Sequence, residues 1–399
     1  MASTSLITAS NIFKTKFGKL SRTHYNVAHP LSSQVKKTYN FVGSKLEYPV
    51  ETTLKGSTGG GPNPPKSAVS NPEMLTATRK TVVTRASIKD EAIVTSKTDE
   101  AAFIAAMKWE VKKTIESQDR SLEMLFHGTG DGALGTIESG TFAADVINAV
   151  ISAATFVSAN FEVNDLVNLG AGTSIFRVSN VVDSTRTVTM ELFEGTSPAG
   201  SQAGVVIYLQ GMRNAAPMGL RGAVLPQSGT LYGITIKRRW KGNVVDAANE
   251  AISMDLLNTA ILNTHREVGK SPNLVLASYE RFKDILTLSE DQKVYDVLKS
   301  RENPEVKLSF KSIQIMTPNG AVDVVLDRFL KASEVFLVNT DYIEVAHAPE
   351  YGWFDRDDSI FLREPNSYDY EAKYGGYLEC IIHPPFQAAI INLGNLPAV

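Results

Sequence analysis

The sequence predicts an α+β fold, and three observations carry that expectation. Thr98 to Gly128 has the periodicity of one very long helix. Thr- and Val-rich segments before and after it alternate as strands do, and from Arg213 to Val345 helical and strand patterns succeed one another. With 43% hydrophobic and 21% charged residues, the 399-residue chain has a soluble globular composition and room for two or three domains. No apolar run reaches the roughly 20 residues that a bilayer span needs, so no membrane role is expected. A single cysteine, Cys380, excludes an internal disulfide framework and suits a reducing compartment.

Residues 1–46 carry Lys14, Lys16, Lys19, Arg22, Lys36, Lys37 and Lys45 and no Asp or Glu, so the net charge of -3 hides an acidic remainder. Ser/Thr-rich, basic and acid-poor, this start has the composition of an organelle transit peptide. It equally suits an extended arm that reaches neighbouring subunits or a polyanion, with Phe13, Phe17, Tyr25, Tyr39 and Phe41 to dock it. Residues 47–92 hold two strand-like runs, EYPVETTLK and EMLTATRKTVVTRA, around the breaker-rich GSTGGGPNPPKSAVSNP. A ribbon this long is marginal alone in water, so it is expected to lie on something else, plausibly another copy of the chain.

The long helix is expected over Asp99–His127, with Thr98 as N-cap, Asp99 and Glu100 on the first turn, and Gly128 as the stop. Phe103, Met107, Val111, Ile115, Leu122 and Phe126 form one apolar stripe, while Lys112, Glu116 and Arg120 form a charged face left for solvent or neighbours. Ser117 to Ser121 interrupts any heptad seam, which argues against a coiled coil. The following GTGDGALG resembles a dinucleotide-binding glycine run but follows a helix instead of a strand, so it reads as a helix stop and tight turns. Thr141 to Thr155 is expected as a second amphipathic helix. Four short strands over 156–212 suggest an inserted small β-barrel or sandwich with a decoration or contact role. Beyond it come a helix over Ala247–Val268, the strand NLVLAS and helix SYERFKDILTL, and strands in VKLSFKSIQIM, VDVVLD and EVFLVN. The last part has a strand to Arg363, a turn at Glu364 to Asn366, a long aromatic strand, and an apolar strand over Phe386–Leu393.

Catalytic patterns are scarce. Histidines 24, 29, 127, 265, 347 and 383 lack the i,i+4 spacing of a zinc protease, and no GxSxG elbow or GxxxxGK[ST] loop is present. Cys380 and His383 lie in an apolar strand and point to opposite faces, which is core patterning and not a nucleophile and base. Asp355, Asp357 and Asp358 lack the ligand-rich loop of a calcium site and read as a solvated turn. No enzyme activity, cofactor or metal is expected.

The order of elements resembles the major capsid protein of tailed bacteriophages, the Hong Kong 97-type fold, from about Asn40 onward. SPNLVLASYERFKDIL looks like that family's axial strand-helix unit, and DRDDSIFLREPNSYDYEAKYGGYLECIIHPPFQAAIINL like its peripheral hairpin and closing strand. The resemblance implies an N-terminal arm (1–46), an extended β-hairpin loop (47–92) and a peripheral domain (93–155) with a spine helix (99–127). It further implies an inserted β module (156–212), an axial domain (213–345), a peripheral-domain hairpin (346–384) and a closing strand of the axial domain (385–399). The spine's stripe would then pack on the peripheral hairpin of its own chain. The implied function is self-assembly into pentamers and hexamers of an icosahedral shell around double-stranded DNA, bound without sequence specificity. The protein would be found in the virion and assembled in the host cytoplasm. The implied partners are the portal and a separate scaffolding or decoration protein, since only about 46 residues precede the hairpin. Lys14, Lys16, Lys19 and Arg22 would lie near the DNA, and Phe13 and Phe17 at subunit contacts. Lys55 or Lys66 with Asn366 are formally available for the intersubunit crosslink some relatives form. An encapsulin-type bacterial compartment shell is the alternative in the same fold, and an organelle-targeted soluble enzyme the alternative of another class.

Overall fold

The computed structural model describes residues 30–53, 72–88, 100–290, 313–317, 320–349, 351–355, 360–364 and 368–394, with side chains in the long helix described from 109 on. In chain order it begins with α1 (Pro30–Gln34), β1 (Lys36–Thr38), β2 (Lys45–Val50), β3 (Glu73–Thr78), β4 (Lys80–Ile88) and the long helix α2 (Glu100–Phe126). Six strands follow: β5 (Ala133–Ser139), β6 (Val146–Ile151), β7 (Leu166–Leu169), β8 (Ile175–Val182), β9 (Thr187–Glu194) and β10 (Val206–Leu209). Next are α3 (Leu220–Val224), β11 (Thr230–Leu231), β12 (Ile234–Thr235), β13 (Asn243–Asp246), α4 (Met254–Val268), β14 (Leu274–Ala277) and α5 (Tyr279–Glu290). The chain closes with β15 (Ile313–Thr317), β16 (Gly320–Leu326), β17 (Val335–Val338), β18 (Ile343–His347), β19 (Gly352–Trp353), β20 (Leu362–Arg363), β21 (Tyr370–Ile382) and β22 (Ala388–Ile391). Few helices and many strands make this a mixed α+β molecule.

One six-stranded sheet has the order β13-β22-β17-β14-β16-β15. Its central strands LVLA and VFLV are buried throughout because both faces are covered. Alternation sends Leu274 and Leu276 to one core and Val275 and Ala277 to another, the second packed by Leu257, Ala260 and Ile261 of α4 and Ile285 of α5. Ser253 caps α4, its Oγ accepting the Leu256 N–H at 3.2 Å, and Gly269 stops it at φ 70°. The helix therefore starts seven residues later than its periodicity suggested, because Ala248 and Asn249 (φ 50° and 65°) spend those positions in a left-handed turn.

The other six-stranded sheet is built on β21, which at about 3.3 Å per residue runs some 43 Å. It pairs with β18, β19 and β20, and with β4 over nine residues from Lys80 to Ile88, while β1 adds in parallel beyond β18. Gly375 makes the close β4 pairing possible: it sits at φ 138°, and a Cβ there would stand 2.2 Å from the Val82 carbonyl oxygen. α2 lies on this sheet. Val111 and Ile115 pack with Ala86, Ile360, Phe361, Ala372 and Tyr374, and Leu122, Leu125 and Phe126 enter the central core. The stripe thus rests on strands of its own chain, and Phe103 and Met107 fall outside the described side chains.

Four expectations change. Thr141 to Thr155 is not a helix: Ala144 and Asp145 (φ 48° and 65°) make a tight turn, and β6 follows with Ile147, Ala149 and Ile151 fully buried. Its apolar residues fit both periods, and the β-branched content belongs to the strand. The closed barrel β10-β5-β6-β9-β8-β7 consequently begins at Ala133 and not at 156. Arg120 does not face solvent; it donates to Asp165 Oδ1 and Oδ2 at 3.0 Å each and to the Ala159 carbonyl at 3.1 Å, fastening the barrel to α2. Finally, the β2–β3 ribbon rests on its own chain, with Leu75 and Ala77 packed on Ile234, Trp240 and Ile381, and its second arm breaks at Arg79 so that β4 joins β21. The breaker-rich tip, 54–71, lies outside the described residues.

Substituting Leu122→Ala, which leaves a cavity where the helix meets the central core, should cost about 3 kcal/mol in a urea unfolding series. Trp109→Ala, at a side chain 63% exposed, should change it by less than about 0.5 kcal/mol.

Candidate functional site

A buried cluster of titratable groups lies where α2 ends. Glu123 and His127, one helical turn apart, are fully buried there with Asp327, Arg221 and Glu334, which come from the turn after β16, from α3 and from the approach to β17. Each charge is matched. Glu123 accepts the backbone N–H groups of Leu31 at 3.0 Å and Ser32 at 3.2 Å, holding the N-terminus of α1 against the long helix. His127 Nε2 stands 2.8 Å from Asp327 Oδ2, and its Nδ1 donates to the Glu123 carbonyl at 2.7 Å. Arg221 donates through Nε to Glu334 at 2.7 Å, through Nη1 to the His127 carbonyl at 2.9 Å and through Nη2 to Phe329 O at 2.9 Å, with a further short contact to Glu334. The His127 carbonyl just past the end of α2, which a buried helix end would leave without a partner, is thereby satisfied by a guanidinium.

Burial alone would push the His127 imidazole down, but the Asp327 charge and hydrogen bond, aided by Glu123, hold its pKa up at about 9. Asp327 is held below its usual range by His127 in spite of its own burial. Glu123, His127 and Asp327 could each offer an atom to a metal ion. The geometry fits a shared proton better. Ligands on a tetrahedral ion at about 2.0 Å would stand about 3.3 Å apart, wider than the 2.8 Å found here, and both Glu123 oxygens are already taken by backbone N–H groups. The cluster is an ion-pair junction that joins four elements.

A second buried group lies under β1. Burial pushes Lys37 down to about 8, partly opposed by Asp119 and Glu123, and raises Asp119 to about 7. His347, stacked on Tyr39 with centroids 5.3 Å apart, is driven to about 3 by burial and by Lys37, so it stays neutral. Gln118, fully buried, donates to the Val82 carbonyl at 3.3 Å and bonds Tyr351 Oη at 3.2 Å, tying α2 to β4. These polar residues of α2 were missed from the sequence because they flank the apolar stripe. The signal that could have found them is Glu123 and His127 four residues apart, directly beside Leu122 and Phe126.

The residues singled out from the sequence fall differently. Phe13, Lys14, Lys16, Phe17, Lys19, Arg22, Lys55, Lys66 and Asn366 all lie outside the described residues, as do His24, His29, Asp357 and Asp358. Cys380 is buried and its thiol is pushed well up by burial. His383 lies beyond the end of β21, bonded to Tyr48 Oη at 3.2 Å and edge-on to Trp240 at 5.6 Å, so the two are not a catalytic pair. What the described surface offers is contact: Trp109, Tyr279 and Tyr368 are exposed aromatics, and β13 and β15 are open sheet edges.

A family model described as SU10 major capsid protein matches residues 29–357. Among solved structures, the fold is similar to a chain of the cyanophage A-1(L) capsid asymmetric unit, at 12% identity and a TM-score of 0.53, covering 90% of this chain and 91% of that one. The capsid of Myoviridae phage XM1 matches at 8% identity and 0.45, covering 92% and 93%. The SrpI encapsulin complex from Synechococcus elongatus PCC 7942 matches at 10% and 0.41, covering 92% and 88%. No curated protein sequence matches significantly.

The part of the stability that His127 contributes should be fully present near pH 6.5 and be lost as pH rises through about 9, because the folded state binds the His127 proton more tightly than the unfolded chain. Thermal melts across that range should show the slope, and His127→Gln should flatten it. Arg221→Met, which strands Glu334 without its partner, should cost about 3–5 kcal/mol in the urea series.

Proposed function

The chain belongs to the SU10 major capsid protein family, and we propose that its copies close into an icosahedral shell of pentamers and hexamers around double-stranded DNA. The single observation that carries this is the family match over residues 29–357, which takes in the long helix, the whole barrel and every strand of the two six-stranded sheets except β20, β21 and β22, which lie beyond residue 357. The work of such a protein is contact and not turnover, and the structure supplies suitable surfaces. β2 and β3 fix the base of the 54–71 segment at Val50 and Glu73, from which that segment would reach an adjacent subunit. Heterologous contacts of this kind close into rings when the rotation between neighbours permits.

In this reading α2 is the spine of a Hong Kong 97-type subunit, the sheet carrying β21 forms the peripheral domain, and the sheet carrying β14 forms the axial domain with β22 as its closing strand. The barrel is an inserted module. Residues 30–46 dock on their own chain through α1, β1 and Phe41, so the arm directed at neighbours and at DNA is the stretch before residue 30 with Lys14, Lys16, Lys19 and Arg22, and portal and scaffolding or decoration proteins are the chain's partners in the virion. Family membership favours this reading over an encapsulin-type compartment.

The expressed protein, examined by size exclusion and negative-stain microscopy, should form closed particles or capsomers of many copies. A discrete monomer or dimer under all assembly conditions would overturn the proposal, and shells carrying protein cargo in place of nucleic acid would favour the encapsulin reading.

A further inference from the structure

The turn between β12 and β13 reads Lys237-Arg238-Arg239-Trp240-Lys241, four cations in five residues. We propose that this turn, together with Arg266 at the end of α4, is a binding site for the phosphate backbone of duplex DNA. It deepens the function proposed above, and within a shell it rests on that reading.

The turn is built rigidly. The Trp240 N–H donates to the Lys237 carbonyl at 2.8 Å, closing it, and the indole is buried with its Nε1 donating to Leu231 O at 3.3 Å. An anchored tryptophan leaves its basic neighbours directed outward: Lys237, Arg238 and Arg239 are exposed, and Arg238 retains 82% of its side-chain surface. Beside them is a cleft of about 320 Å³ lined by Arg238, Lys241, Asn263, Arg266 and Glu267 among others, so the Asn263 amide stands among the cations. Gly242 keeps the backbone close, since a Cβ there would meet the Val224 carbonyl at 2.3 Å.

Local carboxylates do not cancel this charge. Glu73 pairs with Lys237 at 2.7 Å, and Glu267 is shared between Arg238 at 3.3 Å and Arg266 at 3.9 Å, while Glu51 faces the adjoining cleft. Exposed pairs at these distances are weak. A phosphate chain that releases its counterions competes with them readily. Trp240 is buried and offers no stacking platform, so the site suits a backbone read without sequence in preference to unpaired bases. A neighbouring copy's acidic barrel is the competing occupant. Between Ala133 and Leu209 there are seven acids and two arginines. Of those acids Asp165 is tied to Arg120 in a largely buried pair and the rest are spread over the barrel, whereas a duplex carries about one negative charge per 1.7 Å of axis. The observations therefore favour DNA.

The test compares the full chain with Arg238→Gln/Arg239→Gln/Lys241→Gln, using a random-sequence 30-base-pair duplex and fluorescence anisotropy at about 50 to 300 mM salt. The slope of log affinity against log salt should become shallower by about 2.7, or about 0.9 for each cation removed. A control with equal charge loss elsewhere, Lys112→Gln/Lys113→Gln/Arg177→Gln, should leave the slope as it was. An unchanged slope in the first variant, or equal changes in both, overturns the inference. So does a variant that melts like the parent yet no longer forms capsomers, since the turn would then serve a neighbouring copy. If the parent forms no particles, the shell reading falls while the salt slope still decides whether this turn binds duplex.

Discussion

An ionised side chain taken out of water must find a partner, and in this protein that constraint fixes where the long helix ends. Glu123, His127, Arg221, Asp327 and Glu334 come from separate parts of the chain and are buried together. None is tolerable there alone. Hydrophobic packing could hold α2 against the sheets in several registers, because an apolar stripe tolerates sliding by a turn. Paired charges with directional hydrogen bonds do not. The junction therefore locates α1, α3 and the approach to β17 relative to one another, and the sheets are built outward from it.

The strand β21 then distributes that fixed point. Leu378, Cys380 and Ile382 enter the central core, Ala372 and Tyr374 enter the cluster under α2, and Ile381 enters the cluster beneath the β2–β3 ribbon. A single strand thus belongs to three cores. Its pairing with β4 depends on a position that only glycine fills without strain, which places a backbone requirement at the centre of the subunit. The barrel is joined differently, with the Arg120–Asp165 pair as one fastening on α2.

Much of this was legible in the sequence. The 3.6-residue periodicity of α2 and its glycine stop place that helix to within a residue of Glu100–Phe126, and the unbroken apolar runs LVLA and VFLV announce strands covered on both faces. The barrel's first two strands were not legible: β5 starts within the glycine run GTGDGALG, which reads as turns, and in β6 Val146, Ile147, Val150 and Ile151 satisfy helical and strand periods alike, so only tertiary pairing decides between them. Arg120 belongs to a face expected to be left for solvent or neighbours, because a helix's charged face gives no warning that another module of its own chain will cover it. The buried junction was hidden for a related reason: its three parts, Glu123 with His127, Arg221, and Asp327 with Glu334, are widely separated in sequence, and each alone looks like an ordinary helix or loop residue. The contact residues proposed from the resemblance lie in 1–29, 54–71 and 365–367, outside the described residues.

The burial of Cys380 has a practical side. It is the sole thiol of the chain and its ionisation is suppressed by burial, so maleimide and disulfide reagents would find little to react with on the folded subunit. A cysteine introduced at an exposed position, the Val42 or Tyr368 surface for instance, would then be the one addressable handle on each copy. Wherever the copies assemble, such a handle would be repeated once per subunit, giving regularly spaced attachment points for dyes, metals or peptides without interference from the native sequence.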